Sequence, residues 1–168
     1  MKLLFILFSL FYQPKDSVID LANQIQKKYN TPNKDYVVII DFTKSIYEKR
    51  LYLVDMKNQK IILKSVVSHA YNSGDEYAKE FSNTINSKKT SLGAFVTKNT
   101  YYGYYGYSLI VSGLDKELNS NAEKRAIIFH STKKMIKPWS WGCFSTPDSV
   151  NNILINKIKN GCLIYAHN

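Results

Sequence analysis

Two runs, Arg50-Leu51-Tyr52-Leu53-Val54-Asp55-Met56 and Lys60-Ile61-Ile62-Leu63-Lys64-Ser65-Val66-Val67-Ser68, decide the fold class of this chain. Both are rich in β-branched and aromatic side chains, which suit the pleated surface of a sheet. Asn58-Gln59 between them supplies a turn, so the pair reads as a β-hairpin. Working back, Tyr36-Val37-Val38-Ile39-Ile40-Asp41-Phe42 is a third strand. Before it, Val18, Leu21, Ala22, Ile25 and Tyr29 recur three and four residues apart, a helical period over 17–29. Asp16 or Ser17 is placed to cap that helix, and the turn formers from Asn30 to Asp35, Pro32 among them, stop it. Working forward, strands are expected over 93–97, 105–112, 126–130 and 162–166, and a helix over 149–159 with Asp148 or Ser149 as its cap. The chain is therefore mainly β (α+β), with a helix near each end. The polar stretch 72–91 has no clear period, and a loop of that length in a compact domain is more often functional than idle.

At 168 residues with 45% apolar side chains, one domain can bury a sizeable core. The net charge of +10 raises nucleic acid as a partner, but 21 of the 23 basic residues are lysine and they are scattered. Among the lysines only Lys27-Lys28, Lys88-Lys89 and Lys133-Lys134 are adjacent to one another, so the charge reads as a solvated surface and not as a nucleic-acid footprint. At the N-terminus, Met1-Lys2 precedes the apolar run Leu3 to Tyr12, about half the ~20 residues a bilayer span needs, so 1–13 reads as a signal peptide of an exported protein. Cys143 and Cys162 are the two cysteines, too few for a disulfide framework. Cys162 lies in the apolar run Gly161-Cys162-Leu163-Ile164-Tyr165-Ala166 and reads as a small buried hydrophobe.

Chemistry concentrates late in the chain. Ala126-Ile127-Ile128-Phe129 is a strand that delivers His130 at its end, and Ser140-Trp141-Gly142-Cys143 presents a thiol in a glycine-containing bend. An imidazole that takes the thiol proton turns an inert cysteine into a nucleophile at neutral pH. Gly142 lets the backbone turn sharply and a substrate carbonyl approach, with N–H groups near Cys143 to hold an oxyanion. The alternative, two unrelated structural residues, stays open on these residues alone. His69, His130, His167 and the cysteines lack the close ligand pairs of zinc motifs, so no metal and no cofactor is expected.

Arg125-Ala126-Ile127-Ile128-Phe129-His130 followed by Ser140-Trp141-Gly142-Cys143 resembles the murein L,D-transpeptidase catalytic domain family, in the branch where Trp precedes the Gly-Cys pair. Upstream, Val67-Ser68-His69, Asn72-Ser73-Gly74, Phe81-Ser82-Asn83, Thr90-Ser91-Leu92-Gly93, Tyr101, Gly106-Tyr107-Ser108-Leu109, Gly113-Leu114, Asn119, Asn121 and Ala122 agree in the same order. The resemblance implies an L,D-transpeptidase-like β-sandwich over 36–168, preceded by a helix and linker over 14–35. It implies attack of Cys143 on a peptidoglycan stem tetrapeptide, a thioester, and transfer to an amine or to water, in the periplasm or cell envelope and without a partner subunit. His130 is implied as base, Ser131 or a backbone carbonyl as its orienter, and Ser140 and Gly142 as shapers of the oxyanion site. Arg125 stands either as a stem-carboxylate ligand or as a structural anchor. Trp141 and Tyr107 stand either as cleft walls or as core, and His69 as a loop anchor more than a catalyst. Two features depart from the family: the segment 131–139 is short, and the second histidine of the Ser/Thr-His-Gly-Cys form is absent. A wall-binding module with little turnover and an unrelated exported thiol hydrolase are the competing readings.

Overall fold

The computed structural model describes residues 17–133 and 138–168. The leader and the capping position Asp16 lie outside the described residues. The sandwich expected from the sequence takes the form of one continuous, barrel-like sheet of eight strands. In chain order these are β1 (Asn33–Asp41), β2 (Leu51–Asp55), β3 (Lys60–Ser65), β4 (Gly93–Gly103), β5 (Gly106–Gly113), β6 (Ile128–Thr132), β7 (Phe144–Pro147) and β8 (Cys162–His167). Their order across the sheet is β3-β2-β1-β8-β4-β5-β6-β7. Three helices accompany them: α1 (Ser17–Lys28), α2 (Lys116–Asn119) and α3 (Asp148–Ile158).

Why the central strands read as continuous apolar runs is visible in which face each residue covers. Val38 and Ile40 of β1, Leu51 and Leu53 of β2, Phe95 of β4 and Ile164 of β8 enter the main core, which α3 closes with Leu154, Ile155 and Ile158. Their neighbours Val37, Ile39, Tyr52, Val54, Ala94 and Leu163 point to the other face, where Ala22 and Ile25 of α1 cover them. Strands alternate faces with period two, so a strand covered on both sides must be apolar throughout. At about 25 cal/mol per Å² of buried apolar surface, each of these large side chains contributes roughly 1.5–3 kcal/mol.

The helix near each end and the hairpin at Asn58-Gln59 are found where the sequence put them, with Gln59 in the left-handed region at φ 49°. Three expectations need correction. No side chain caps α3: Pro147 occupies the cap position without a side-chain bond, and Asp148 is already the first helical residue. The strand expected over 126–130 begins two residues later, because Ala126 sits at φ 52° in a turn. His130 therefore lies inside β6 and not at its end. The strand β7 was not foreseen.

The loop between β3 and β4 is a tied structure. Ser73 Oγ accepts from Thr90 N–H at 2.8 Å, Thr90 Oγ1 accepts from Ala70 N–H at 2.9 Å, and Ala70 forms an isolated bridge with Ser140. The loop thus fastens on the turn that carries Cys143.

Candidate active site

β6 and β7 run parallel, with Phe129 opposite Phe144 and His130 opposite Ser145. Parallel neighbours require the chain to return to the start of the first strand before the second begins. Phe129 and Phe144 are both fully buried in the main core, their ring centroids 5.2 Å apart, and Phe95 meets Phe144 edge-on at 5.3 Å. Side chains alternate along a strand, so His130, next to Phe129, and Cys143, next to Phe144, both point away from that core. His130 lies in β6, and Cys143 immediately precedes β7, diagonally across from it. Both line a cavity of about 340 Å³ together with Tyr105, Arg125, Ala126, Trp139, Ser140 and Trp141.

The imidazole is almost fully covered. His130 Nδ1 lies 2.8 Å from the backbone carbonyl of Ser131, so it carries the proton and donates, leaving Nε2 as the basic nitrogen. The carbonyl of Ser131 orients the ring, whereas its hydroxyl donates to Tyr105 O at 3.2 Å. Burial pushes the His130 imidazole below its ordinary value, partly offset by that carbonyl. Burial likewise pushes the Cys143 thiol up, against the Ile128 backbone N–H and the nearby Arg125 guanidinium, which favour thiolate. The thiol points to Ala126 O at 3.6 Å. Burial thus disfavours both charged forms, the imidazolium of His130 and the thiolate of Cys143.

The turn before the cysteine is held by its own serine. Ser140 Oγ donates to Cys143 O at 2.9 Å and accepts from Gly142 N–H at 3.3 Å, while Ser140 O accepts from Tyr71 N–H at 2.8 Å. Gly142 has φ 133°, and a Cβ there would meet Arg125 Nη2 at 3.1 Å, so only glycine suits the position. Trp141 is 69% exposed at the cavity rim, with Lys88 Nζ 4.6 Å from its ring centroid.

Arg125 also lines the cavity, but its guanidinium is occupied: it donates to Ser82 O at 2.6 Å, Ser91 Oγ at 2.5 Å and Lys89 O at 2.5 Å. It grips the loop and holds no acidic partner among these bonds. Tyr107 is outside the cavity lining. Its ring packs against the main core and its hydroxyl donates to Asn156 Oδ1 at 3.2 Å. His69 is fully buried and away from the cavity lining: Nδ1 accepts from Arg50 Nη2 at 2.9 Å, and Nε2 donates to Gly74 O at 3.0 Å. Cys162 is a free thiol in the core, its Sγ donating to Tyr36 O at 3.1 Å. Sequence reasoning missed Tyr105 and Trp139. The signals available were a second Trp two positions before Trp141 and the run of tyrosines between Tyr101 and Tyr107, which in sequence fits an edge strand or a carbohydrate-facing surface.

The family profile described as the L,D-transpeptidase catalytic domain matches residues 12–167. The chain belongs to this family. Solved structures agree in fold: an L,D-transpeptidase from Mycobacterium smegmatis is 9% identical with a TM-score of 0.52, the match covering 80% of this chain and 59% of that one. One from Stackebrandtia nassauensis is 17% identical at a TM-score of 0.51, covering 84% and 60%. L,D-transpeptidase 3 from Mycobacterium tuberculosis, solved with a faropenem-derived adduct, is 9% identical at 0.53, covering 80% and 60%. The chain thus spans about three fifths of the length of these proteins. A search of curated protein sequences found no match.

In this L,D-transpeptidase domain several of the asparagines that carry the sequence resemblance serve as ties. Asn83 Oδ1 and O accept from Asn121 N–H and Nδ2 at 2.9 and 3.0 Å, and Asn119 Nδ2 donates to Leu92 O and Ala94 O at 2.8 and 2.9 Å. They clamp the long loop and β4 to the segment that enters β6. Among the described residues, no group of three or more His, Cys, Asp or Glu could hold a metal ion, and no helix is long and apolar enough to cross a membrane.

Proposed function

We propose that the protein is a peptidoglycan L,D-transpeptidase, exported to the cell envelope, that acylates Cys143 with a stem tetrapeptide. The observation that supports this reading is that His130 of β6 and Cys143, just before the parallel neighbour β7, line a single cavity, with His130 Nδ1 already bonded to a carbonyl. Family membership supplies the substrate class.

The Cys143 proton passes to His130 Nε2 as the sulfur attacks the carbonyl carbon of the stem's third residue. Negative charge then develops on the carbonyl oxygen. The Gly142 N–H, held to Ser140 Oγ by a long 3.3 Å bond, loses little by turning to that oxyanion. Collapse breaks the carbon–nitrogen bond, the leaving D-alanine nitrogen takes the proton from Nε2, and a thioester remains. An acceptor amine, or water, attacks next, giving its proton to Nε2. The sulfur departs from the new amide or acid and recovers that proton.

The test is intact mass spectrometry of the purified chain incubated with disaccharide-tetrapeptide. The expected result is an adduct on Cys143 smaller than the donor by one alanine, and new crosslinked or trimmed muropeptides. Cys143→Ala should give neither. Binding of muropeptide without any adduct would make the protein a wall-binding module, and cleavage of ordinary L,L-peptides would make it a different thiol hydrolase.

A further inference from the structure

The hairpin of β4 and β5 brings a tyrosine onto the imidazole. β5 pairs antiparallel with β6 through Leu109 opposite Phe129, so the chain just before β5 runs alongside the residues after His130. Tyr105 stacks on His130 with ring centroids 4.2 Å apart and planes 22° from parallel. Trp139 meets the same imidazole edge-on, at 5.4 Å and 86°, and touches Tyr105 at 5.7 Å. His130 is left 1% exposed.

The polar support of this ring is slight. Among the described residues its one hydrogen bond runs to the carbonyl of the next residue, Ser131, and no carboxylate acts on it. A histidine χ2 is a broad torsion, and one bond to a neighbouring backbone carbonyl fixes the direction of Nδ1 while leaving the ring plane loose. Face-to-face packing removes that freedom. The Ser131 hydroxyl ties in the same partner, donating to the Tyr105 carbonyl at 3.2 Å, so the hydrogen-bond support and the packing support of the imidazole move together.

We propose that Tyr105 is a positioning residue for the general base, its ring holding the His130 imidazole in one plane so that Nε2 stays open to the Cys143 cavity through both proton transfers. This rests on the reading of Cys143 and His130 as nucleophile and base. The work is done by the ring face: no hydrogen bond involves the Tyr105 hydroxyl among the described contacts, and Tyr105 is 41% exposed, so its removal opens no core.

Three variants of the full chain test it: Tyr105→Phe, Tyr105→Leu and Tyr105→Ala. Tyr105→Phe should keep kcat within about two-fold of the wild type. Tyr105→Ala should lower kcat on the order of ten-fold or more with little change in KM, because a base misplaced by a fraction of an ångström loses its reach. Tyr105→Leu, which keeps bulk without a flat face, should fall with Tyr105→Ala. Removing the ring also rehydrates the imidazole, so the acidic limb of kcat/KM should move to higher pH in Tyr105→Ala. Tm should stay within a few degrees of wild type in all three. The proposal is overturned if Tyr105→Leu matches the wild type, if Tyr105→Phe is as impaired as Tyr105→Ala, or if the loss lies in KM alone. The rate of Cys143 alkylation by iodoacetamide, with His130→Gln as the floor, reads the same clamp without any wall substrate. A wild type that forms no thioester would end the transpeptidase reading, and the alkylation series would still decide the clamp: Tyr105→Ala approaching the His130→Gln floor supports it, and a rate equal to wild type overturns it.

Discussion

Replacing Arg125 separates a structural tether from a substrate ligand. In Arg125→Met the aliphatic packing is largely kept, but the carbonyls of Ser82 and Lys89 and the hydroxyl of Ser91 lose their donor. Hydrogen bonds from a charged group contribute roughly 1.5–3 kcal/mol each, yet three on one side chain are not additive, and here solvent reaches the partly exposed loop. A loss of about 3 kcal/mol is expected. For a chain of this size each kcal/mol moves Tm by about 2–4 °C, so calorimetry should show a fall of about 6–12 °C. The same change removes a positive charge that favours the Cys143 thiolate. Alkylation of Cys143 at a fixed alkaline pH should therefore slow in Arg125→Met, and recover in Arg125→Lys, which restores charge without the planar fork. Arg125→Lys should regain about half of the lost stability. An unchanged Tm in Arg125→Met together with a raised KM for the tetrapeptide would refute the tether and return Arg125 to the role of stem-carboxylate ligand.

Three other outcomes follow from the geometry. Iodoacetamide under native conditions should modify Cys143, which lines the cavity, and reach the fully buried Cys162 only in denaturant, as peptide mapping would show; equal native rates would refute this. His69 is held below its ordinary value, first by burial and then by Arg50, so it adds stability in full above about pH 6.5 and loses it as pH falls through the lowered folded value. Urea unfolding at pH 7.5 and 5 should show this slope in the wild type and a flatter one in His69→Asn, and identical slopes would count against it. Gly142→Ala should cost roughly 1–3 kcal/mol and most of the acylation rate, since φ 133° is strained for alanine and the new methyl meets Arg125; a variant with wild-type Tm and acylation would show the turn to be tolerant.

The two-faced burial of β1, β2 and β8 explains what was legible in the fold. Val37-Val38-Ile39-Ile40 shows no alternation, yet its β-branched composition and the turn formers around it are local properties that need no tertiary knowledge. The helix α1 was readable for the same reason, its stripe being wide enough to cover one sheet face. The strand β7 was not. Phe144-Ser145-Thr146-Pro147 holds one large apolar residue and ends in proline, and it is a strand because β6 supplies a partner on one side.

The candidate site divides along the same line. Cys143, His130 and Gly142 could be picked out because thiol, imidazole and a flexible backbone position are chemical types, visible before folding. The roles of their neighbours are properties of contact. Arg125, with its planar fork, suited a carboxylate on paper; in the fold the fork faces two loop carbonyls and a hydroxyl. Tyr107 and Tyr105 are the same residue type two positions apart, so nothing local distinguishes the one that packs on the core from the one that stacks on His130. What separates them is that Tyr107 lies within β5 whereas Tyr105 lies in the turn just before it, free of the strand's alternation.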